Sequence, residues 1–228
     1  RPHGRRDLSF AHVGPVQRLI GVFEHLQVPL ARVREQFGIP GMDAATARNF
    51  RDKAQMKSVL RAAGVPCARY RLADSAAAAA GFADEAGYPL VVKPPAGAGA
   101  KSTFRLDDAS DLKVWLDAAP PTPGNPALLE EFLTGDEGSY DSVMTDGRLV
   151  WDSISRYLPT PLEVLRNPWI QWAVLMPRDI GGPEYDGIRQ IAPTALHALG
   201  LRTGLTHMEW FRRPDGTVQG YITIPDPA

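Results

Sequence analysis

The stretch Val91-Val92-Lys93-Pro94-Pro95-Ala96-Gly97-Ala98-Gly99-Ala100-Lys101-Ser102-Thr103 sets the problem. From Tyr88 to Lys93 the chain is apolar and β-branched, which reads as a buried strand. That strand delivers a lysine straight into a loop of small residues. Such loops let backbone amides approach phosphate oxygens, and a lysine supplies the opposing charge. Two common phosphate-binding patterns fail on spacing. A Walker loop needs Gly-Lys-Ser/Thr, but Lys101 follows Ala100 and no glycine stands five residues before it. A dinucleotide fingerprint needs a third glycine where Ser102 stands and a helix afterwards, where a strand is expected here. Taken alone, the stretch reads equally well as a flexible hairpin loop.

Working outward, the upstream chain is helical by spacing. Val16, Leu19, Ile20, Phe23 and Leu26 recur at helical intervals from Pro15. A second helix fits Leu30 to Phe37, stopped by Gly38, Pro40 and Gly41. A third runs from about Ala44 to Ala63, with Phe50, Met56 and Leu60 as its inner stripe and Gly64-Val65-Pro66 ending it. Cys67 to Leu72 is a short strand. Asp74 or Ser75 caps the Ala-rich run 76–86, which reads as a helix because alanine is the best helix former.

Downstream, Thr103 to Leu106 is expected to pair with strand 88–93, and Asp107 to Ala118 reads as a capped helix. Residues 120–126 form a linker-like break before strand Ala127–Phe132. A hairpin joins Ser139–Met144 to Leu149–Ser155 through Thr145-Asp146-Gly147. Residues 157–183 read as irregular, long for a structureless loop and so either functional or poorly ordered. A helix from Pro183 to Leu199 precedes strands Gly204–Phe211 and Val218–Ile224, joined at Pro214-Asp215-Gly216. The fold class is α+β, with short helices laid on antiparallel or mixed sheets.

Composition bounds the function. The 228 residues carry 25 Lys plus Arg against 26 Asp plus Glu, a formal charge of −1. No positive excess draws the chain to nucleic acid or an anionic membrane. No stretch approaches the roughly 18 apolar residues of a membrane span, and residues 1–30 lack a signal-peptide core. Cys67 is the single cysteine, so an internal disulfide and a cysteine-rich zinc site are excluded, and a cytoplasmic location is expected. Glycine and proline number 21 each. Together they exceed the usual share of roughly 12%, in keeping with many turns and short strands. The chain opens at Arg1 without a methionine and its first dozen residues are aperiodic, which reads as a processed or trimmed start.

Three further elements accompany the glycine-rich loop. Arg51-Asp52-Lys53 stands upstream, with Ala63-Gly64-Val65-Pro66 after it. Leu129-Glu130-Glu131-Phe132-Leu133-Thr134-Gly135-Asp136-Glu137 follows downstream. Gly204-Leu205-Thr206-His207-Met208-Glu209-Trp210 precedes the turn at 214–216. In this order and spacing the chain resembles the ATP-grasp superfamily over about residues 48–218. Its Gly-x-Thr-His-x-Glu element is similar to the carboxylate–amine ligases that join amino acids, with the biotin-carboxylase-like ATP-grasp fold. The resemblance implies two α+β lobes sandwiching ATP. Residues 1–47 would be the helical tail of a mostly absent α/β N-terminal domain. Residues 48–133 would form the first lobe with the lid, and 134–228 the second lobe with the metal and substrate site.

The resemblance also implies roles. Lys53 and Lys93 would meet ATP phosphates, where two ammonium groups offset the repulsion an attacking carboxylate meets. Gly97, Gly99, Lys101 and Ser102 would belong to a mobile lid. Glu130, Glu131, Phe132 and Leu133 would form the hinge, whose backbone reads adenine through the Glu131 carbonyl and the Leu133 amide. Glu137 would take the ribose hydroxyls, a task suited to an acceptor-only carboxylate. Glu209 would ligate Mg²⁺, with Mn²⁺ as a substitute, since hard cations take oxygen ligands. By the period of two, His207 shares its face and would bind the substrate carboxylate or stabilise the acyl phosphate as a catalytic group beside Lys93. His3, His12, His25 and His197 form no metal spacing. Arg156, Arg166, Trp169 and Trp172, in the irregular stretch, are candidates for acceptor recognition.

One departure stands out. Family members carry Glu-x-Asn-x-Arg on the next strand, where this chain has Gly220-Tyr221-Ile222-Thr223-Ile224. Missing segments are the expected reason, and loss of a metal ligand is the other. The implied activity is an ADP-forming carboxylate–amine ligase acting on small molecules, with homodimers as the expected assembly. A bicarbonate-activating carboxylase, a non-catalytic ATP-binding module and a plain α+β interaction domain are the alternatives.

Overall fold

The structure, a computed structural model, describes residues 14–21, 23–96, 103–167 and 169–226, of which 220–226 are described by their backbone. Helices α1 (Gln27–Phe37), α2 (Ala44–Arg51) and α3 (Lys53–Ala62) come first. Then follow β1 (Tyr70–Ala73), α4 (Ala76–Ala86), β2 (Leu90–Lys93), β3 (Phe104–Leu106), α5 (Ala109–Ala118) and β4 (Ala127–Glu131). The second half holds β5 (Asp136–Thr145), β6 (Arg148–Leu158), α6 (Pro161–Arg166), β7 (Ala173–Leu175), α7 (Asp186–Leu199), β8 (Gly204–Arg212) and β9 (Val218–Asp226). Two sheets result, ordered β1-β4-β2-β3 and β7-β6-β5-β8-β9, with every strand pair antiparallel. The α+β expectation holds.

The first sheet is one-sided. Leu90 and Val92 alternate inward and, with Leu106 and Leu129, pack on Phe82, Ala79 and Ala83 of α4 and Leu112 of α5. The intervening Val91 and Lys93 turn to the opposite face, as the strand period requires. Helix α4 forms where the alanines predict it, and its Ser75 cap accepts a hydrogen bond from the Ala78 amide. Asp108 caps α5, accepting from the Ser110 and Asp111 amides.

The second sheet is wetter on one face than the other. Tyr140, Met144, Ile154, Met208 and Trp210 pack with Ile188, Ala192, Ala195 and Leu196 of α7 into the larger core. The hairpin between β5 and β6 turns through Asp146 (φ 50°) and Gly147 (φ 79°). Two left-handed residues match the type I′ turn that the strand twist favours.

Four expectations differ from the structure. Residues 14–21 and 23 are not helical, and the first helical turn is the 3-10 turn Glu24–Leu26. Side chains from α1 capture this segment instead: Arg34 donates to the Leu19 carbonyl (2.8 Å) and Gln27 to that of Gly21 (2.6 Å). Its apolar residues find no core, and Phe23 stays 60% exposed. The single helix expected over 44–63 is two, because Asp52 leaves the helical region (φ −93°, ψ 108°) and caps α3 by accepting from the Ala54 and Gln55 amides. Short acidic side chains compete for the backbone in this way. The stretch 157–183 is partly ordered, since Thr160 caps α6 and β7 pairs with β6. Finally, Phe50, Met56 and Leu60, expected in the first lobe from residue 48, share the core of the second sheet with Ala31, Ala44 and Ala47.

Candidate active site

A cleft of about 1330 Å³ lies between the two sheets. Lys53 reaches it from the first turn of α3, where the break at Asp52 puts it, and the Lys53 amide donates to the Pro95 carbonyl (2.9 Å). Lys93 reaches it from the end of β2, on the face left free by Leu90 and Val92. Both lysines line the same cleft, together with Glu137, His207 and Glu209 of the second sheet. Burial and then the neighbouring Lys93 charge lower the Lys53 pKa. An anion arriving between these ammonium groups would relieve that strain.

Beneath them lies a buried ionic cluster. The Glu130 carboxylate stands 2.7 Å from Lys93 and 3.2 Å from Lys57. Burial by itself raises the Glu130 pKa, but Lys57 and Lys93 outweigh it and hold the carboxyl below its ordinary value. Glu130 therefore reaches the cleft with its charge met by two lysines. Glu130, expected as a nucleotide contact, is among the residues that line the cleft. The backbone of Glu131, expected to read adenine, donates its amide to Arg69 (3.0 Å), and the Phe132 amide donates to Pro89 (3.1 Å). Phe132 and Leu133 line the cleft, and the Arg105 guanidinium stacks 4.2 Å from the Phe132 ring centre.

On the second sheet, Ser139 stands opposite Glu209 and Asp141 opposite His207 in the β5–β8 ladder. Glu137, Ser139, Asp141, His207 and Glu209 thus share one face by the period of two. Among the described residues neither the Glu137 nor the Glu209 side chain forms a hydrogen bond or ion pair. Burial, and then the Glu209 charge, push the Glu137 pKa up to about 8. Burial also raises that of Glu209, eased by His207, Lys93 and Lys53 across the cleft. The His207 Nδ1 donates to Asp141 (2.6 Å), a carboxylate that can only accept. The His207 Nε2 lies 3.3 Å from the Tyr157 hydroxyl. The Asp141 hydrogen bond, acting against burial, raises the His207 pKa.

Two under-neutralised carboxylates opposite two crowded ammonium groups fit a metal–nucleotide pair. Among the described residues no group of three or more His, Cys, Asp or Glu side chains could hold a metal by itself. That agrees with Mg²⁺, which takes one or two carboxylates and completes its shell with phosphates and water. The strand partner opposite Glu209 on β9 is Tyr221.

The remaining expected residues divide. Gly97, Gly99, Lys101 and Ser102 lie outside the described residues. Arg166 and Trp172 line the cleft, although Arg166 is also paired with Asp107 at 3.6 Å. Arg156 pairs with Asp136 (3.7 Å) away from the cleft lining, and Trp169 is 80% exposed. Sequence reasoning missed Lys57, Asp141, Tyr157 and Glu24. Lys57 follows Lys53 at i+4 and Asp141 follows Glu137 by two strand periods, so a face-by-face reading would have found both.

Two antiparallel sheets face one cleft lined by Lys53, Lys93, Glu137, His207 and Glu209, and the chain has the ATP-grasp fold. Residues 52–147 match the family model described as carbamoyl-phosphate synthase L chain, ATP binding domain. The L-arginine-specific L-amino acid ligase of Bacillus subtilis is 26% identical over 214 residues, 92% of this chain and 51% of that protein. Among solved structures, an L-amino acid ligase from Bacillus licheniformis superimposes with a TM-score of 0.71 at 23% identity, covering 90% of this chain and 47% of that one. Carboxyaminoimidazole ribonucleotide synthase from Aspergillus clavatus, complexed with ATP, gives 0.69 at 17% identity, covering 90% and 51%. The chain therefore spans about half the length of these relatives. Among the described residues no helix is long and apolar enough to cross a membrane.

Proposed function

We propose that this chain is the ATP-binding core of an ADP-forming carboxylate–amine ligase. The convergence of Lys53 and Lys93 with Glu137 and Glu209 on one cleft carries the reading. Mg·ATP supplies the phosphoryl group that activates the carboxylate as an acyl phosphate, which the amine then attacks to give an amide. In this reading Lys53 and Lys93 hold phosphate oxygens, with Glu130 fixing Lys93. Glu137 accepts from the ribose hydroxyls and Glu209 ligates the metal. His207, oriented by Asp141, donates to the carboxylate being activated. The relatives described as L-amino acid ligases support amino acids as the substrate class.

The test is ADP and phosphate release that depends on both a carboxylate and an amine. Release of AMP would overturn the proposal. Lys93→Ala and Glu209→Ala are each expected to lower kcat/KM by at least about a hundredfold. Lys93→Ala should weaken Mg·ATP stabilisation of the fold, while Glu209→Ala should remove its dependence on Mg²⁺. Tyr221 opposite Glu209 favours one competing reading, a nucleotide-binding module without turnover. Tight Mg·ATP binding with no ADP formed on any amino-acid pair would select it.

A further inference from the structure

We infer that the cleft seats a large apolar side chain of an amino-acid substrate, against Tyr157, Trp172 and the α6 residues Leu162 and Leu165. The inference rests on the ligase reading for the word substrate, and on the geometry for the seat itself. Tyr157 is the link. Its hydroxyl lies 3.3 Å from His207 Nε2, so its ring stands beside the group proposed to meet the carboxylate. Trp172 packs edge-on against that ring, with centroids 5.5 Å apart and planes at 64°.

Tyr157 is nearly buried, but Trp172 keeps 48% of its surface open and Leu165 56%. All four side chains line the cleft that holds the lysines and acids. Contiguous open apolar surface on a soluble domain marks a binding site more often than it marks an accident. Its continuity with His207 identifies the occupant, a small molecule whose reacting end lies at that histidine.

The chemistry of the wall narrows the class. Of the two charged side chains of α6, Glu163 lines the cleft and Arg166 is engaged by Asp107 at 3.6 Å. A charged side chain laid on this wall would lose much of its water, which is costly. An aromatic or branched aliphatic side chain loses nothing and gains contact with two rings. Selection by an apolar pocket is modest, roughly 10- to 200-fold for each extra group filled.

Calorimetric titration of Phe, Leu, Gly, Arg and Asp into the chain tests the seat, with and without Mg²⁺ and a non-hydrolysable ATP analogue. Phe and Leu are expected to bind at least about tenfold tighter than Gly, Arg or Asp. Trp172→Ala should erase that preference, while Trp172→Phe should keep most of it. Analogue affinity measured on each variant reads whether the site is still folded. Equal or tighter binding of Arg or Asp would overturn the inference, as would an unchanged Phe-to-Gly ratio in Trp172→Ala. So would conversion of a dimer to a monomer by that substitution, because the apolar face would then belong to a second copy. Failure of the analogue to bind defeats the ligase reading alone; the amino-acid titration without nucleotide still decides the seat.

Discussion

Glu137 sits diagonally from Glu209 across the β5–β8 ladder, and the fold raises the proton affinity of both. With its pKa pushed up to about 8, Glu137 is largely protonated at neutral pH, whereas the ribose contact proposed for it is best made by an ionised, acceptor-only carboxylate. Mg·ATP binding is therefore expected to release a proton near pH 7. Titrations in buffers of different ionisation enthalpy will measure this, and Glu137→Gln should reduce the release. The same shift sets a stability trend. The folded chain holds this proton more tightly than the unfolded chain does, so the contribution is full below about 4.5 and is lost as pH rises toward 8. Melting temperature followed across that window should fall with pH in the parent and fall less in Glu137→Gln. Glu130 behaves in the opposite way. Two lysines hold its charge, and Glu130→Ala would leave Lys57 buried without its counter-charge. A loss of about 3–5 kcal/mol is expected by chemical denaturation. Adding Lys57→Met to that variant should recover part of it.

At the level of elements, the break between α2 and α3 determines where Lys53 points. Asp52 accepts from two amides and opens α3 one residue before the lysine. Asp52→Ala is expected to cost about 1 kcal/mol of stability, the usual value of an N-cap. It should also weaken Mg·ATP binding, because Lys53 would no longer start a helix. Asp52→Asn should spare both, and thermal shift with and without nucleotide distinguishes the two variants. This break was illegible in the sequence, where Phe50, Met56 and Leu60 run as one uninterrupted apolar stripe. Elements with a local cause were legible: the alanine helix behind Ser75, the hairpin at Asp146-Gly147, and strand β2 with Lys93 at its end. The non-helical course of residues 14–21 was not, because its cause is the reach of Arg34 and Gln27 from a neighbouring helix. The site was legible where charge follows an apolar run, as at Lys93, or shares a strand face, as at His207 and Glu209. Asp141, Tyr157 and Lys57 escaped notice because a polar residue in a half-buried element reads as a solvated one until its partner is known.

At the scale of the whole molecule, the described residues form two cores that divide the chain unevenly. One holds Leu90, Val92 and Leu129 under α4 and α5. The other gathers α1, α2 and α3 with α7 under the five-stranded sheet, so that Met56, Leu60, Ile154 and Trp210 share one cluster. Lys53 thus belongs by packing to the second body and Lys93 to the first, and a ligand bridging the two lysines would couple the bodies. Two consequences can be measured by hydrogen exchange. Leu129→Ala should cost about 2–5 kcal/mol and raise exchange in β1, β2 and β4 before it raises exchange in β5, β6 and β8. Ile154→Ala should reverse that order. Adding Mg·ATP to either variant should slow exchange in both sheets together, since binding to the folded form stabilises it by about 2.7 kcal/mol at 100 times Kd. If nucleotide protected one sheet and left the other unchanged, the two lysines would not be holding the same phosphate chain, and the cleft would have to be reassigned to one body alone.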